Sequence, residues 1–341
     1  MFGRSKRVLA LDIGSNEIKA LEVQDTGSGV ALTSFQSTKI GNQNETIFAL
    51  KEIVRRGNFK TKRCVTSVSG RSVIVRYVTM AQMPAEDLRQ AIKFEADKYI
   101  PFEVDEVIMD TQILEDNVGD ASSPEMKVLL VAVRKSLIEE HLALLADAGL
   151  QPMVIDVDAF ALGNAFEARA RGAGGVQGEK VVALIDIGAN KTNINIVKGK
   201  TSYFTREVYL AGNDFTEAVS RKFNLDSQEA EKLKCEPGEQ AGEVEEAILP
   251  TLDDLGNEIQ LSFDYFENQF DRVVEEVYIS GGSSKLPGLQ RAFEGAFEKS
   301  VVFWNPLEGV EVRGGVDTKA LQQFSGQLAV GIGLASRVRR W

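Results

Sequence analysis

Residues 8–19 read V-L-A-L-D-I-G-S-N-E-I-K, and the rest of the chain is interpreted from this stretch. The four residues before Asp12 are all apolar, which is typical of a strand buried on both faces. Asp12 ends that strand, where a carboxylate can face a ligand. Gly14 lacks a Cβ, so a phosphate can approach the backbone of the turn. Ser15 and Asn16 add short hydrogen-bonding side chains. The stretch predicts two strands joined by a turn that can hold phosphate oxygens, with Asp12 facing an attached metal ion.

A second copy of this pattern strengthens the prediction. Residues 181–194 read V-V-A-L-I-D-I-G-A-N-K-T-N-I, with Asp186 and Gly188 in the places of Asp12 and Gly14. A single D-x-G turn between two strands is commonly only a hairpin. Two such turns favour a polyphosphate site in which both aspartates hold Mg²⁺ through water, because Mg²⁺ prefers oxygen ligands and keeps several waters.

Two further motifs are ambiguous when taken alone. Residues 280–284, S-G-G-S-S, follow a predicted strand and precede a predicted helix. Glycines there let the backbone pass close to a flat ring, and a helix N-terminus favours negative charge, but the alternative is an ordinary loop. Residues 230–234, A-E-K-L-K, can form a surface amphipathic helix with charge pairing between Glu231 and Lys234.

Composition bounds the remaining possibilities. A chain of 341 residues can form two domains, and a net charge of −11 argues against a general nucleic-acid binder. We find no signal peptide and no apolar run long enough to span a bilayer, so we expect a cytoplasmic protein that reaches the membrane only through a partner. The basic clusters at residues 4–7 and 337–340 are compatible with solvated termini or with a position near an anionic membrane. The single histidine, His141, argues against a histidine-based catalytic or zinc site.

The order of predicted elements divides the chain into five segments. They are residues 1–70, the N-terminal part of a first domain; 71–150, an inserted β-α-β-β-α interaction module; 151–177, a connecting helix and linker; 178–319, a second domain with a helical subdomain at 225–275; and 320–341, a C-terminal helix that returns to the first domain. Pro250 predicts that the helical stretch from 243 to 274 is two helices.

The order and separation of the motifs resemble the actin-like ATPase superfamily, which includes actin, the heat-shock chaperone ATPases, sugar kinases and FtsA. Residues 11–19 resemble its first phosphate motif, 184–192 its second, and 279–287 its adenosine motif. Residues 151–165 and 327–335 resemble its two connecting helices. The resemblance covers essentially the whole chain. It implies an α/β, actin-like (ribonuclease H-like) two-domain ATPase fold that binds ATP and Mg²⁺ between its domains.

The resemblance also implies the nucleotide-binding residues. In the A-E-x-x-K helix it places Glu231 at the ribose and Lys234 by the base. The full set is Asp12, Gly14, Ser15, Asn16, Lys19, Asp186, Gly188, Ala189, Asn190, Thr192, Glu231, Lys234, Gly281, Gly282, Ser283 and Lys285.

Within the superfamily, the chain resembles the PilM family of type IV pilus assembly. A short basic start precedes the first strand, residues 91–102 predict a helix that ends in Y-I-P-F, and the inserted module stands where this family carries one. The resemblance implies a scaffold at the inner face of the inner membrane that captures the cytoplasmic N-terminal segment of the membrane protein PilN. It also implies contacts with other pilus platform proteins, and it is compatible with a homo-oligomer. Tyr99, Ile100 and Phe102 are candidates for the partner groove, although each can equally be a core residue.

Whether ATP is hydrolysed depends on a residue that positions water near the first connecting helix. Asp156 and Asp158 lie in that region in an ambiguous register, and they join Asp12 and Asp186 as catalytic candidates. We expect slow or negligible turnover, with ATP acting as a conformational ligand. The alternatives are an FtsA-like division or secretion-system scaffold, a small-molecule kinase and a filament-forming cytoskeletal protein.

Overall fold

The computed structural model describes residues 6–27, 29–41, 45–118, 124–172 and 180–340, without the side chains of residues 117, 170–172 and 340. The strands are β1 Arg7–Ile13, β2 Glu17–Asp25, β3 Val30–Lys39, β4 Arg63–Val68, β5 Val73–Ala81, β6 Val107–Val118, β7 Glu125–Arg134, β8 Gln151–Val157, β9 Val181–Ile187, β10 Thr192–Lys198, β11 Thr201–Val208, β12 Glu276–Ser280, β13 Val301–Phe303 and β14 Glu311–Val312. The helices are α1 Thr46–Arg56, α2 Ala85–Glu95, α3 Lys135–Asp147, α4 Asp158–Gly172, α5 Gly212–Phe223, α6 Ser227–Cys235, α7 Ala241–Phe270, α8 Leu289–Phe297, α9 Thr318–Gln323 and α10 Ala329–Ser336.

The chain folds into two compact units. The larger unit comprises Met1–Ser67 and Met153–Trp341, and the smaller unit is Val68–Pro152. Two sheets form in the larger unit, with strand orders β14-β3-β2-β1-β4-β8 and β11-β10-β9-β12-β13. Each sheet carries one of the repeated hairpins, β1–β2 or β9–β10, beside a parallel strand. As predicted, the four apolar residues before Asp12 are fully buried.

One hydrophobic core joins the two sheets of the larger unit. It contains Val8 and Leu21 of the first sheet, Val182 and Leu184 of the second, and the small residues of α4 and α10. The two helices meet at backbone distance: a Cβ added to Gly333 of α10 would lie 1.7 Å from the carbonyl oxygen of Ala161 in α4. The small side chains in these helices therefore serve close packing, which a larger side chain would prevent.

The smaller unit has the predicted β-α-β-β-α order. Its sheet has the strand order β5-β7-β6, and both pairings are antiparallel. Helix α2 buries Leu88 and Ile92 in a core that also contains Val78, Met126 and Leu130. The module therefore has a hydrophobic core of its own.

Two helix predictions are wrong. The stretch predicted as two helices is the single helix α7, with Pro250 inside it, because Ile248, Leu252 and other apolar residues on both sides of the proline are buried and hold the turns together. The predicted C-terminal helix is broken. Short 3₁₀ turns at Ser325–Gln327 and Arg337–Arg340 flank α10, and the carbonyl of Gly326 leaves the helical pattern to accept the N–H of Gly281 at 2.7 Å. Residues 173–177 of the predicted linker lie outside the described residues.

No helix in the described part of the chain is both long enough and apolar enough to cross a bilayer.

Candidate functional site

The two D-I-G turns have the same local geometry. The N–H of Gly14 donates to the carbonyl of Glu17 at 3.1 Å, and the N–H of Gly188 donates to that of Lys191 at 3.0 Å. A Cβ would lie 2.9 Å from the acceptor oxygen in the first turn and 3.0 Å from it in the second, so each turn needs its glycine for the same reason. The N–H groups of both glycines are therefore used within the turns.

The first hairpin presents a paired aspartate. Asp12 is the last residue but one of β1, and it accepts a hydrogen bond from Lys19 Nζ at 3.1 Å, its partner in the register of the hairpin. Burial raises the pKa of Asp12, and Lys19 opposes that rise. Burial also works to lower the pKa of Lys19, but Asp12 and two further carboxylates, Asp186 and Glu17, raise it above its ordinary value. The pair places an ion pair, rather than a lone carboxylate, at the end of the strand.

The second hairpin carries a polar row across its sheet. Ser280, Asp186, Asn193 and Glu207 are consecutive partners on β12, β9, β10 and β11. Ser280 Oγ donates to Asp186 Oδ1 at 2.8 Å. Burial raises the pKa of Asp186 to about 6, although the Ser280 hydrogen bond opposes the rise. Among the described residues, Asn193 is 3% exposed and its Oδ1 has no hydrogen-bond donor.

The two aspartates near the first connecting helix, α4, have different surroundings. Asp158, the first residue of α4, accepts from Lys191 Nζ at 2.9 Å and raises the pKa values of both Asp12 and Asp186 through charge repulsion. Asp156 is buried instead beside the C-terminal segment, where Arg337 Nε lies 3.1 Å from its Oδ2. Asp158 therefore belongs to the electrostatic cluster of the two hairpins.

Gly212 is where three motifs meet. Its N–H donates to the carbonyl of Gly188 at 3.0 Å, and Ser283 Oγ donates to the same carbonyl at 3.2 Å. The carbonyl of Gly212 accepts from Lys234 Nζ at 2.9 Å. A Cβ on Gly212 would lie 2.9 Å from the carbonyl oxygen of Gly188, so the close approach of these two backbone segments requires glycine. The second hairpin, the G-G-S-S loop and the A-E-x-x-K helix are thus one hydrogen-bonded assembly.

Lys234 is a buried part of that assembly. The side chain is 5% exposed, and Nζ also donates to Thr216 Oγ1 at 2.8 Å and to Glu231 Oε2 at 2.6 Å. Burial acts to raise the pKa of Glu231, but the hydrogen bonds from Lys234 and Thr216 lower it below its ordinary value. In this structure Lys234 holds α6 to the start of α5.

The G-G-S-S loop is pressed against the second hairpin. Gly281 has φ +101°, and a Cβ there would lie 2.3 Å from the carbonyl oxygen of Ile187. The loop continues as a 3₁₀ turn, Gly282–Lys285, in which Ser283 is buried and Lys285 is exposed. The predicted strand–loop–helix arrangement is confirmed by β12, this turn and α8.

Five further predicted residues lie at the two turns, and they differ in exposure and in their contacts. Ser15 and Asn16 are exposed in the first turn. Asn190 is exposed in the second, and its Oδ1 accepts from Asn213. Thr192 is fully buried, with its hydroxyl donating to the carbonyl of Leu210 at 2.8 Å, so this side chain supports the turn. Ala189 contributes its carbonyl, which accepts the N–H of Asn213 at 2.8 Å.

The donor set fits a magnesium–phosphate complex better than a free metal ion. The described residues contain no group of three or more His, Cys, Asp and Glu side chains arranged for a metal ion. Asp12 nevertheless lies close enough to Asp186 to raise its pKa through charge repulsion. Mg²⁺ is commonly held by one or two carboxylates together with water and substrate phosphates. The unsatisfied Asn193 Oδ1 beside Asp186 would accept a hydrogen bond from such a water.

The three candidate partner residues, all in the smaller unit, differ in burial. Ile100 is 6% exposed and belongs to the core, so its side chain is not presented to a partner. Tyr99 and Phe102 are partly buried against that core, and the guanidinium of Arg134 lies 4.2 Å from the Phe102 ring centroid. Phe94, on the outer face of α2, is 87% exposed.

Comparison with known proteins identifies the family. Residues 10–339 match the family described as type IV pilus assembly protein PilM. The chain belongs to the PilM family. A solved structure described as a PilM–PilN type IV pilus biogenesis complex is 30% identical, with a TM-score of 0.83, and the match covers 97% of this chain and 98% of the other.

More distant structures share the fold of this PilM-family chain. MreB 5 of Spiroplasma citri bound to AMPPNP is 11% identical, with a TM-score of 0.53 and coverage of 96% and 94%. The ethanolamine utilization protein EutJ from Carboxydothermus hydrogenoformans is 15% identical, with a TM-score of 0.54 and coverage of 98% and 90%. These matches confirm the α/β actin-like fold predicted for this member of the PilM family.

Sequence reasoning missed several residues of the site in this PilM-family chain. Lys191 lies in the second phosphate motif between Asn190 and Thr192, which were both predicted as site residues. Its positive charge among uncharged turn residues was the signal that could have identified it. Gly212 is the first residue of α5, a position that signals only a helix start. Glu207 and Asn193 are placed by strand register, which a single strand pattern does not reveal.

Proposed function

We propose that this chain is a nucleotide-binding scaffold of the type IV pilus platform, which captures the cytoplasmic N-terminal segment of a PilN-like membrane protein. The observation that carries this proposal is the match along nearly the entire length of both chains to a structure described as a PilM–PilN complex. Its place would be the cytoplasmic face of the inner membrane, reached through that partner.

The nucleotide would be ATP with Mg²⁺, held by the two hairpins and the G-G-S-S loop of the larger unit. The exposed turn residues Ser15 and Asn16, with Lys19 behind them, would contact the phosphates, as would the turn from Gly188 to Asn190. Asp12 and Asp186 would hold Mg²⁺ through water. When bound, the metal would supply positive charge that offsets the phosphate and carboxylate charges in one place.

The base and ribose would lie over the adenosine loop. Gly282 is exposed and gives a surface without a side chain beside Ser283, Gly281 is buried behind it, and Lys285 is exposed next to it. Glu231 is positioned by Lys234 and Thr216, so its carboxylate is held in place to accept from a ribose hydroxyl. A cavity of about 800 Å³ adjoins this loop, and Lys285, Leu286 and Trp304 are among the residues that line it.

Turnover would be slow or absent, because Asp156 is buried with its Oδ2 3.1 Å from Arg337 Nε and is therefore not available as a base. A carboxylate paired with a cation is a weak proton acceptor. ATP would then act as a ligand that stabilises one conformation.

The affinity for Mg²⁺–nucleotide should fall as the pH is lowered through about 6, where Asp186 takes up a proton. Metal-bound water is held by the ionised carboxylate, so protonation removes the interaction. Titration with a fluorescent nucleotide between pH 8 and pH 5 would measure this. An affinity that stays constant down to pH 5 would contradict the assignment of Asp186 to the metal.

The partner segment would contact the smaller unit at Phe94. A phenylalanine that is 87% exposed contributes little to folding, and it can serve as an apolar anchor for a peptide. Phe94→Ser should leave the thermal midpoint unchanged and weaken peptide binding about tenfold or more, the cost of losing one buried aromatic anchor. Phe48→Ser is the matched control, because Phe48 on α1 is 72% exposed and belongs to the larger unit.

The proposal is tested by fluorescence anisotropy with a labelled peptide that carries the cytoplasmic N-terminal sequence of a PilN-type protein from the same source. Saturable binding that survives Phe48→Ser and is lost in Phe94→Ser is the expected result. Equal loss in both variants would reject the Phe94 surface, and no binding by the unaltered chain would reject the scaffold function itself.

A further inference from the structure

Lys191 forms a bridge between two carboxylates. Its Nζ donates to Asp158 Oδ2 at 2.9 Å and to Glu207 Oε1 at 3.0 Å. The three side chains are 18–20% exposed, so the bridge is shielded from most of the solvent. Burial acts to lower the pKa of Lys191, but the two carboxylates raise it, and Lys191 stays charged. A shielded bridge of this kind is more costly to break than a surface pair.

The bridge connects three different elements. Lys191 lies at the end of the second D-I-G turn, Asp158 begins α4, and Glu207 lies on β11, the edge strand of that sheet. Lys191 therefore ties the start of α4 to the sheet that carries the second hairpin.

Helix α4 in turn contacts α10, and α10 contacts the first sheet. The carbonyl of Ala161 in α4 is pressed against Gly333, and a Cβ on Gly331 would lie 2.6 Å from a Leu21 methyl group on β2. Tightly packed elements of this kind move together. A shift at the start of α4 would thus reach the sheet that carries the first hairpin.

The bridge also lies within the electrostatic field of the proposed metal site. Asp158 raises the pKa of Asp12, whereas Lys191 lowers it. A ligand that changes the position of Lys191 or Asp158 therefore changes the field at Asp12, and a change of charge at Asp12 acts back on the bridge.

We propose that Lys191 is a positioning residue that couples nucleotide occupancy to helix α4: the Lys191 bridge holds Asp158, and a bound polyphosphate competes for Lys191 and draws it away from Asp158. The inference rests on the proposed nucleotide site and deepens it. A polyphosphate carries more charge than one carboxylate and accepts strong charge-assisted hydrogen bonds from an ammonium group. The first turn of α4 then loses the Lys191 tether and keeps the hydrogen bond that Asn195 Nδ2 of the second sheet donates to the carbonyl of Ala159 at 2.6 Å.

Hydrogen–deuterium exchange on the full chain tests this, with peptides that cover residues 158–168. In the unaltered protein, Mg²⁺–AMPPNP should accelerate exchange in α4 about tenfold, the effect of losing one charged hydrogen bond. Lys191→Met should show the accelerated exchange without nucleotide and no further change on addition. Lys191→Arg, which keeps the charge, should restore slow exchange in the empty protein. Lys222→Met is the matched control, because it removes a lysine from an exposed pair with Glu246 and should behave like the unaltered chain.

Nucleotide titration of the same variants separates the two claims. Lys191→Met should still bind Mg²⁺–AMPPNP, with an affinity changed by tenfold at most, because Lys19 and both metal-facing aspartates remain. If Lys191→Met binds nucleotide and its α4 exchange matches that of the unaltered protein in both states, the coupling is wrong and the nucleotide site stands. If the unaltered chain binds no nucleotide, both claims are wrong.

Discussion

Gly333→Ala should lower the free energy of unfolding by at least ~3 kcal/mol, which corresponds to a fall of about 10 °C in the thermal midpoint. The added Cβ would lie 1.7 Å from the carbonyl oxygen of Ala161. Neither atom can rotate aside, because each is fixed to the backbone of its helix. The α4–α10 contact would have to separate. Because these helices lie in the core shared by the two sheets, the loss should appear in the main cooperative transition, measured by calorimetry or urea titration.

Gly295→Ala is the control for that substitution. Gly295 lies inside α8 and a Cβ there meets nothing within 4 Å, so the same change should stabilise the protein by about 0.5–1 kcal/mol through helix propensity. Equal stability of Gly333→Ala and the unaltered chain would show that the two helices are not packed as described.

Asp186→Asn should have opposite effects on the empty and the liganded protein. The amide keeps an acceptor for Ser280 but loses the charge that holds Mg²⁺, so affinity for Mg²⁺–nucleotide should fall about 100-fold, or ~2.7 kcal/mol. The empty protein should become more stable. The folded-state pKa of Asp186, about 6, lies above the ordinary 3.8, so its ionisation destabilises the empty fold as the pH rises from about 4 through about 6.

The size of the gain in stability follows from the raised pKa of Asp186. A difference of about two pKa units corresponds to ~3 kcal/mol, and partial contact of the carboxylate with solvent reduces the expected gain at pH 8 to about 1–2 kcal/mol. Asp254→Asn, on an exposed position of α7, is the control for removing one negative charge. An Asp186→Asn protein that binds Mg²⁺–nucleotide normally would remove Asp186 from the metal site.

Short-range patterns in the sequence predicted the frame of the site. Apolar strands ending in D-I-G, repeated at residues 8–19 and 181–194, are local signals, and the structure confirms both hairpins. Glycine suits positions 14 and 188, because each turn brings a carbonyl oxygen within 3.0 Å of the place where a Cβ would lie. The G-G-S-S loop between β12 and α8 also followed from local signals.

The remaining features depend on contacts between distant segments, which no local pattern records. Lys191 contacts Glu207 because of the register between β10 and β11, and it contacts Asp158 because of the placement of α4. The break between α9 and α10 arises because Gly326 pairs with Gly281. Pro250 stays within a helix because burial on both sides outweighs its missing hydrogen bond. Phe94 belongs to a helix whose other side is buried, and only the fold shows that this residue faces outward.

Isothermal titration of the full chain with AMPPNP, in Mg²⁺ and in EDTA, tests the central claim most directly. The account predicts saturable binding of one nucleotide in Mg²⁺, at least tenfold weaker binding in EDTA, and a higher thermal midpoint in the saturated protein. Absence of binding in Mg²⁺, or equal affinity with and without the metal, would contradict it.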